Sequence, residues 1–459
     1  MEQRLLKNTI AAIATAQVEG AISIVRLSGP EAVTIADMVY RGKQRLADVA
    51  THTINYGKIY NNKNGAQVDE VLVSVFRAPK TYTREDVVEI NAHGGVAVTS
   101  EILRLVLANG ARLAEPGEFT KRSFLNGRID LTQAEAVADM IKAENNQAVH
   151  MAAAALDGKL AQQIKTFRAD IVALLANIEV NIDYPEYDDV EMLTDTIILP
   201  KIDALITGMD KLLRTARTGQ IIKDGIQTAI VGRPNVGKSS LLNALLREEK
   251  AIVTHIAGTT RDIVEGSIRL RDVTLRMIDT AGIRETEDIV EQIGITKAKD
   301  LLQKADLVLL VLDQGEVLSE EDKELLALVA TKKAIIVRNK NDLPTRLELP
   351  EHYMELPQVA ISAQHDIGLT DLYDALEAVL DLNLNATNQV YLANARHVTL
   401  LEAAREALDQ AKTSAASGMP IDIITIDLQA AYSGLGEMLG VEIKDELLDT
   451  LFSNFCLGK

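Results

Sequence analysis

Residues 227–249 read QTAIVGRPNVGKSSLLNALLREE. An apolar run leads into Gly232-Arg233-Pro234-Asn235-Val236-Gly237-Lys238-Ser239, and a segment with helical spacing follows. Strand, glycine-bounded loop and helix in that order meet the requirements of the phosphate-binding pattern G-x-x-x-x-G-K-[ST]. The glycines let the backbone wrap an anion so that successive amides point inward. The helix N-terminus adds positive potential. Lys238 is expected to reach the β- and γ-phosphates of a nucleotide and the Ser239 hydroxyl to bind Mg²⁺.

Working outward, residues 221–379 alternate strand and helix patterns. QTAIVG, VTLRMIDT, DLVLLVLD, KAIIVRNK and QVAISA read as buried strands of a mainly parallel sheet with crossover helices. Three further motifs close strands, where ligands bind such sheets. Asp279-Thr280-Ala281-Gly282 offers a carboxylate for Mg²⁺ through water and an amide for the γ-phosphate. Asn339-Lys340-Asn341-Asp342 ends in a carboxylate suited to the guanine N1 and N2 donors, which adenine lacks. Ser362-Ala363 is placed to close over the base. Together these motifs predict a GTPase.

The hydrolytic machinery departs from the Ras pattern. There, a water-orienting Gln follows the Gly of the motif that corresponds to Asp279–Gly282; here that position is Ile283, which cannot orient water. The charged run Arg284-Glu285-Thr286-Glu287-Asp288, with Glu291 beyond it, either supplies the polar group or is a solvated loop. Asn235 also has two readings. It tolerates a tight turn, or it places an oxygen beside the phosphates where a monovalent cation binds.

Both flanks differ from this core. Residues 1–119 read as a mixed α/β domain, with strands at AISIVRL (21–27) and DEVLVSVF (69–76), a turn at NNKNG (61–65) and a helix at TSEILRLVLANG (99–110). Residues 120–220 and 380–459 are helical and read as two parts of one domain, into which the 221–379 domain is inserted. Asp130 or Thr132 is expected to cap the first helix. The acidic run NIDYPEYDDVEM (181–192) reads as a solvated loop rather than a metal site, because it lacks a rigid ligand spacing.

Composition narrows the function classes. The 459 residues carry a net charge of −18, which repels bulk nucleic acid, so contact with RNA requires a local basic patch or a partner. Aromatic residues make up 3% and Trp is absent, which argues against a broad stacking platform for single strands. The single cysteine, Cys456, excludes an internal disulfide framework and fits a reducing cytosol. No apolar run reaches the roughly 18 residues of a membrane span, and the N-terminus does not read as a signal peptide.

The chain resembles the tRNA-modification GTPases of the MnmE/TrmE type over essentially its whole length. The resemblance rests on GRPNVGKSS (232–240), AGTTRD (257–262), DTAGIRE (279–285), NKND (339–342), the N-terminal IVRLSG and EDVVEINAHGG, EPGEFTKRSFLNGRIDL (115–131) and the terminal FCLGK. It departs from the family in Glu115 before Pro116, and in Arg128 where some members carry the non-equivalent Lys. The resemblance implies a cytoplasmic homodimer, paired through its N-terminal domain, which acts with an FAD-dependent partner protein on tRNA. The implied reaction adds an aminomethyl-type group, as in 5-carboxymethylaminomethyl modification, at C5 of the wobble uridine. The one-carbon unit would come from a tetrahydrofolate derivative of the 5-formyl or 5,10-methylene type.

The resemblance also implies site residues. Hydrolysis would be activated by K⁺-dependent pairing of the G domains, with K⁺ held by Asn235, Thr254, Ile256 and Thr259. Thr260 would join Ser239 on Mg²⁺. Glu291 would activate water, alongside Asn235, Lys238 and Asp279 as the other catalytic candidates. The nucleotide set is Asn235, Val236, Gly237, Lys238, Ser239, Ser240, Thr254, His255, Ile256, Ala257, Gly258, Thr259, Thr260, Asp279, Thr280, Ala281, Gly282, Asn339, Lys340, Asp342, Ser362 and Ala363. Folate would be bound by Arg26, Glu89, Arg128 and Lys459. Cys456 is either a packed small hydrophobe or a secondary candidate for the modification chemistry. A ribosome-assembly or translation-linked GTPase switch is the alternative function, and a one-carbon sensor without chemistry of its own a third.

Overall fold

A computed structural model describes residues 8–183, 194–248, 267–270, 273–278, 301–380, 390–441, 445–453 and 455–459. The chain forms two compact units. One comprises residues 1–142, 152–208 and 399–459; the other, residues 143–151 and 209–398.

The first unit contains a seven-stranded sheet in the order β3-β4-β5-β6-β2-β1-β7. Its strands are β1 (Ile10–Ile13), β2 (Gly20–Ser28), β3 (Tyr40–Gly42), β4 (Thr53–Tyr60), β5 (Gln67–Phe76), β6 (Val87–Gly94) and β7 (Arg112–Leu113). Every pairing is antiparallel except β1 with β7. Helices α1 (Ala32–Val39) and α2 (Val96–Ala108) share a core with the inward residues of the sheet, among them Val25, Leu27, Val73, Val75 and Ile90. Alternation along a strand sends neighbouring side chains to opposite faces. Arg26, between Val25 and Leu27, and Glu89, between Val88 and Ile90, therefore leave the core on one side, directly opposite each other in register. The NNKNG segment joins β4 to β5 as expected.

Helical elements complete this unit: α3 (Glu118–Leu125), α4 (Leu131–Lys142), α5 (Asn146–Leu156), α6 (Lys159–Asp183) and α7 (Leu199–Leu213), then α12 (Ala395–Ala416), α13 (Ile421–Leu439) and α14 (Asp445–Ser453) further along the chain. α5, α7 and α12 each run across the division between the two units. The alanine-rich stretch after residue 130 is three helices. Asp130 is the first cap: its Oδ1 accepts from the Gln133 amide (3.2 Å), and Gln133 Oε1 accepts from the Asp130 amide (3.0 Å). This reciprocal pair satisfies two donors that a helix N-terminus otherwise leaves open. Asn145 caps α5 through the Ala148 amide (2.7 Å), and Gly158, at φ 78°, separates α5 from α6. The acidic run 181–192 lies almost wholly outside the described residues.

The second unit holds a six-stranded sheet, β13-β12-β11-β8-β10-β9. These are β8 (Ile226–Val231), β9 (Ser267–Leu270), β10 (Val273–Met277), β11 (Leu307–Asp313), β12 (Ala334–Asn339) and β13 (Gln358–Ala360). The five expected strands are all present and parallel. The sixth, β9, was not anticipated; it pairs antiparallel with β10 at the sheet edge. Its sequence, SIRL, is too short and too mixed to register as a buried run. β11 is buried along its whole length, as befits a central strand covered on both faces. Helices α8 (Ala216–Asp224), α9 (Lys238–Glu248), α10 (Glu320–Val329) and α11 (Leu369–Leu380) accompany the sheet. Among the described residues, no helix is long and apolar enough to cross a membrane.

Candidate functional site

The phosphate loop connects β8 to α9. Gly232 and Gly237 have φ of 153° and 98°. A Cβ at Gly232 would lie 2.4 Å from the Val311 carbonyl oxygen, and one at Gly237 would lie 2.1 Å from Asn339 Nδ2. The loop is pressed against its neighbours at both ends, so glycine is obligatory there. Asn235 is exposed and adopts φ 66°, the left-handed conformation of the tight-turn reading. Val236 is buried in the core beneath the loop. Ser239 and Ser240 lie in the first turn of α9.

Lys238 Nζ donates to the carbonyls of Gly232 (2.7 Å) and Arg233 (2.5 Å), which hold it inside the loop. Burial pushes its ammonium below the ordinary lysine range, and the charge of Glu321 opposes that shift. A half-buried cation met mainly by carbonyl dipoles is matched by a phosphate anion. On the outer side, Arg233 anchors the loop. Its Nη2 meets Glu316 (2.9 Å), and its Nε lies 2.7 Å from Asp322, whose carboxylate also forms the capping box of α10 with Ser319.

The guanine side is organised by Asn339. This side chain is 2% exposed; it donates to the Val236 carbonyl (2.8 Å) and accepts from the Ala363 amide (3.0 Å). It therefore ties the phosphate loop, the NKND segment and the Ser362-Ala363 turn together. Lys340, at φ 65°, forms an ion pair with Asp313 (2.5 Å). Asp342 is exposed, and its Oδ1 accepts from the Ser362 hydroxyl (2.6 Å). That hydrogen bond, then the residue's own backbone amide, hold its carboxyl below the ordinary range, with His365 and Lys340 contributing. An ionised carboxylate is an acceptor only, as the two donors on the guanine edge require.

Sequence reasoning missed three supports of this site: Arg233, Asp313 and Gln314. Gln314 Nε2 donates to Asn341 Oδ1 (2.8 Å) and Thr345 Oγ1 (2.9 Å). The available signal was position, since Asp313-Gln314 closes an apolar strand as the recognised motifs do. Thr254, His255, Ile256, Ala257, Gly258, Thr259, Thr260, Asp279, Thr280, Ala281, Gly282, Ile283, the run 284–288 and Glu291 lie outside the described residues.

A separate cavity of about 640 Å³ opens in the first unit and is lined by Arg26, Glu89, Arg128 and Lys459 together. Arg26 Nε donates to Glu89 Oε1 (2.8 Å), and both side chains are about one-fifth exposed, at 19% and 21%. Arg26 Nη1 also donates to the Gly458 carbonyl (3.2 Å). The Arg128 guanidinium lies 4.9 Å from the centre of the Tyr82 ring, which is cation–π distance. The terminal FCLGK segment packs on EPGEF: the Cys456 carbonyl accepts from Gly117 (3.4 Å), and that of Lys459 from Phe119 (3.2 Å). Cys456 itself is exposed and is not among the residues lining the cavity, so the expectation of a packed small hydrophobe does not hold.

A cluster of buried charge lies close in sequence to the lining residues Arg84 and Arg128. Arg122, 1% exposed, pairs with Glu85 (3.0 Å) and Glu118 (3.0 Å) and donates to the Asn8 carbonyl (2.8 Å). Glu118 also pairs with Arg112. Burial alone would raise the Glu118 carboxyl, but hydrogen bonds from Arg112 and the Glu115 amide, with Arg122, outweigh it and leave it below the ordinary range.

Comparison with known proteins places these features in one lineage. Residues 9–128 match the family described as the GTP-binding protein TrmE N-terminus, and residues 131–456 match the MnmE helical domain. The tRNA modification GTPase MnmE of Geobacillus kaustophilus is 52% identical over 98% of this chain and 99% of its own length. Its counterpart in Listeria innocua is 52% identical with the same coverage, and that of Enterococcus faecalis is 52% identical over 98% of each chain.

Proposed function

This chain belongs to the family of the tRNA modification GTPase MnmE, and on that premise we propose that it hydrolyses GTP as a step in modifying tRNA. The observation that carries the reading is the single constellation formed by the phosphate loop, the Asn339 tie and the Ser362-held Asp342 carboxylate. Lys238 meets the β- and γ-phosphates, the loop amides and the start of α9 bind their oxygens, and Asp342 selects guanine. The glycine-tight cradle and the half-buried Lys238 fit a nucleotide with its Mg²⁺, which Ser239 and Thr260 would hold. Bound Mg²⁺ neutralises charge on the phosphate oxygens.

Asn235, with the backbone oxygens of Thr254, Ile256 and Thr259, would hold K⁺ when two G domains pair in a homodimer. That cation supplies positive charge where other GTPases use an arginine. Glu291 orients or activates the attacking water, the role Ile283 cannot fill. In the other unit, the Arg26–Glu89 pair, Arg128 and Lys459 fit a folate: a carboxylate reads the amide-like pterin edge and cations hold the glutamate tail. The folate provides the one-carbon unit for C5 of the wobble uridine, and an FAD-dependent partner joins the reaction in the cytoplasm.

Mass spectrometry of wobble uridines in cells lacking the gene tests this reading; the modified nucleoside is expected to disappear and to return on complementation. An unchanged nucleoside profile overturns it. Turnover is expected to be faster in K⁺ than in Na⁺ at matched ionic strength, and equal rates would remove the cation from the mechanism.

A further inference from the structure

The cavity in the first unit is more cationic than its floor requires. Its lining carries the basic side chains Arg26, Lys80, Arg84, Arg128 and Lys459 against one side-chain carboxylate, that of Glu89. Arg26 is committed to Glu89 and the Gly458 carbonyl. The other three non-terminal cations stand exposed at the mouth. Arg84 Nη1 donates to the Asn126 carbonyl (2.8 Å), and Arg128 lies over Tyr82. Among the described residues, none of Lys80, Arg84 and Arg128 forms an ion pair with a carboxylate. Arg84 is also held at φ 59°, uncommon for a residue with a side chain. In a chain of net charge −18, a rim with this excess of positive charge is a local exception.

We propose that this rim binds the γ-linked polyglutamate chain of a folate, so that the ligand the cavity takes is a polyglutamylated one. The inference rests on the folate reading of the floor. A folate with one glutamate ends in two carboxylates, fewer than the cations available once Arg26 is paired. Each further γ-linked glutamate adds one carboxylate, and an extended polyanion can meet Lys80, Arg84 and Arg128 in turn while the pterin end stays at Arg26 and Glu89. The contacts are exposed, so each contributes modestly and is screened by salt.

Isothermal titration of the full chain with 5-formyltetrahydrofolate monoglutamate and with its pentaglutamate tests this. The pentaglutamate is expected to bind about five- to tenfold tighter at low ionic strength. The ratio should fall toward one at about 0.5 M salt, and also in a Lys80→Gln/Arg84→Gln double variant. A Lys80→Arg/Arg84→Lys variant should keep the gain, because charge rather than shape is being read. Equal affinity of the two ligands, or a gain that survives the Gln variant, overturns the inference and leaves the folate floor standing. Failure of both ligands to bind overturns the folate reading and this inference with it.

Discussion

The described nucleotide residues sit where parallel strands end: Lys238 beyond β8, Asp342 beyond β12, Ser362 beyond β13. The cavity in the first unit draws its lining from residues scattered over 26–137 and from Lys459, with Arg26 bonded to a carbonyl 432 positions away. In the nucleotide site, backbone conformation and a few short side-chain ties set the geometry. In the cavity, an antiparallel register, a stacked guanidinium and a docked terminal segment must all be right at once. A parallel-sheet switch point can therefore be specified by short motifs, whereas the cavity exists only when distant segments have docked.

The largest expected effect falls on Glu291. Glu291→Ala should lower kcat by about 10²–10⁴ with little change in GTP affinity, because general-base help acts in the transition state. Parental turnover in that variant, with loss in Glu287→Ala, would move the role to Glu287 and leave the GTPase reading intact.

The buried charge cluster of the first unit should be nearly as sensitive. Arg122→Met removes the cation from Glu85 and leaves Glu118 with Arg112 alone, and should cost the first unit about 3–5 kcal/mol, read as a lowered calorimetric transition. The pH dependence has a definite sign. Glu118 titrates below its unfolded-state value, so its contribution is full above about pH 4.3 and is lost as pH falls through the lowered value. An acid-side profile identical in Glu118→Gln would remove that contribution.

Asp342→Asn should weaken GTP binding by about a hundredfold and shift preference toward xanthosine nucleotides, since an amide donates to the xanthine 2-oxo group. Unchanged GTP affinity would sink the assignment. The smallest effect separates the two sites. Glu89→Gln should weaken folate binding by about tenfold while GTP turnover stays near parental. Parallel losses in both would show that the two sites do not act separately.

The strands and motif ends of the candidate nucleotide site were legible because apolar runs of the right length are closed by motif residues, and each motif lies within a few positions. The edge strand Ser267–Leu270 was not legible, since four mixed residues on an edge bury too little to leave a periodic signature. The helix breaks at Asn145 and Gly158 were visible only as single residues inside a continuous helical pattern. Arg233 occupies an unspecified x position of the pattern G-x-x-x-x-G-K-[ST], and its anchoring by Asp322 depends on a helix 89 positions further along.

The sequence by itself determined the P-loop architecture, the preference for guanine and the two helical flanks, because these follow from local backbone demands and short-range periodicity. Only the tertiary structure decided that Asn339 ties three motifs together, that Cys456 faces solvent, and that Lys80 and Arg84 join the residues at the cavity. Alternation shows that Arg26 and Glu89 each leave the core side of a strand. That they face one another depends on pairing between residues 63 positions apart, and a one-residue slip of that register would send either side chain to the other face.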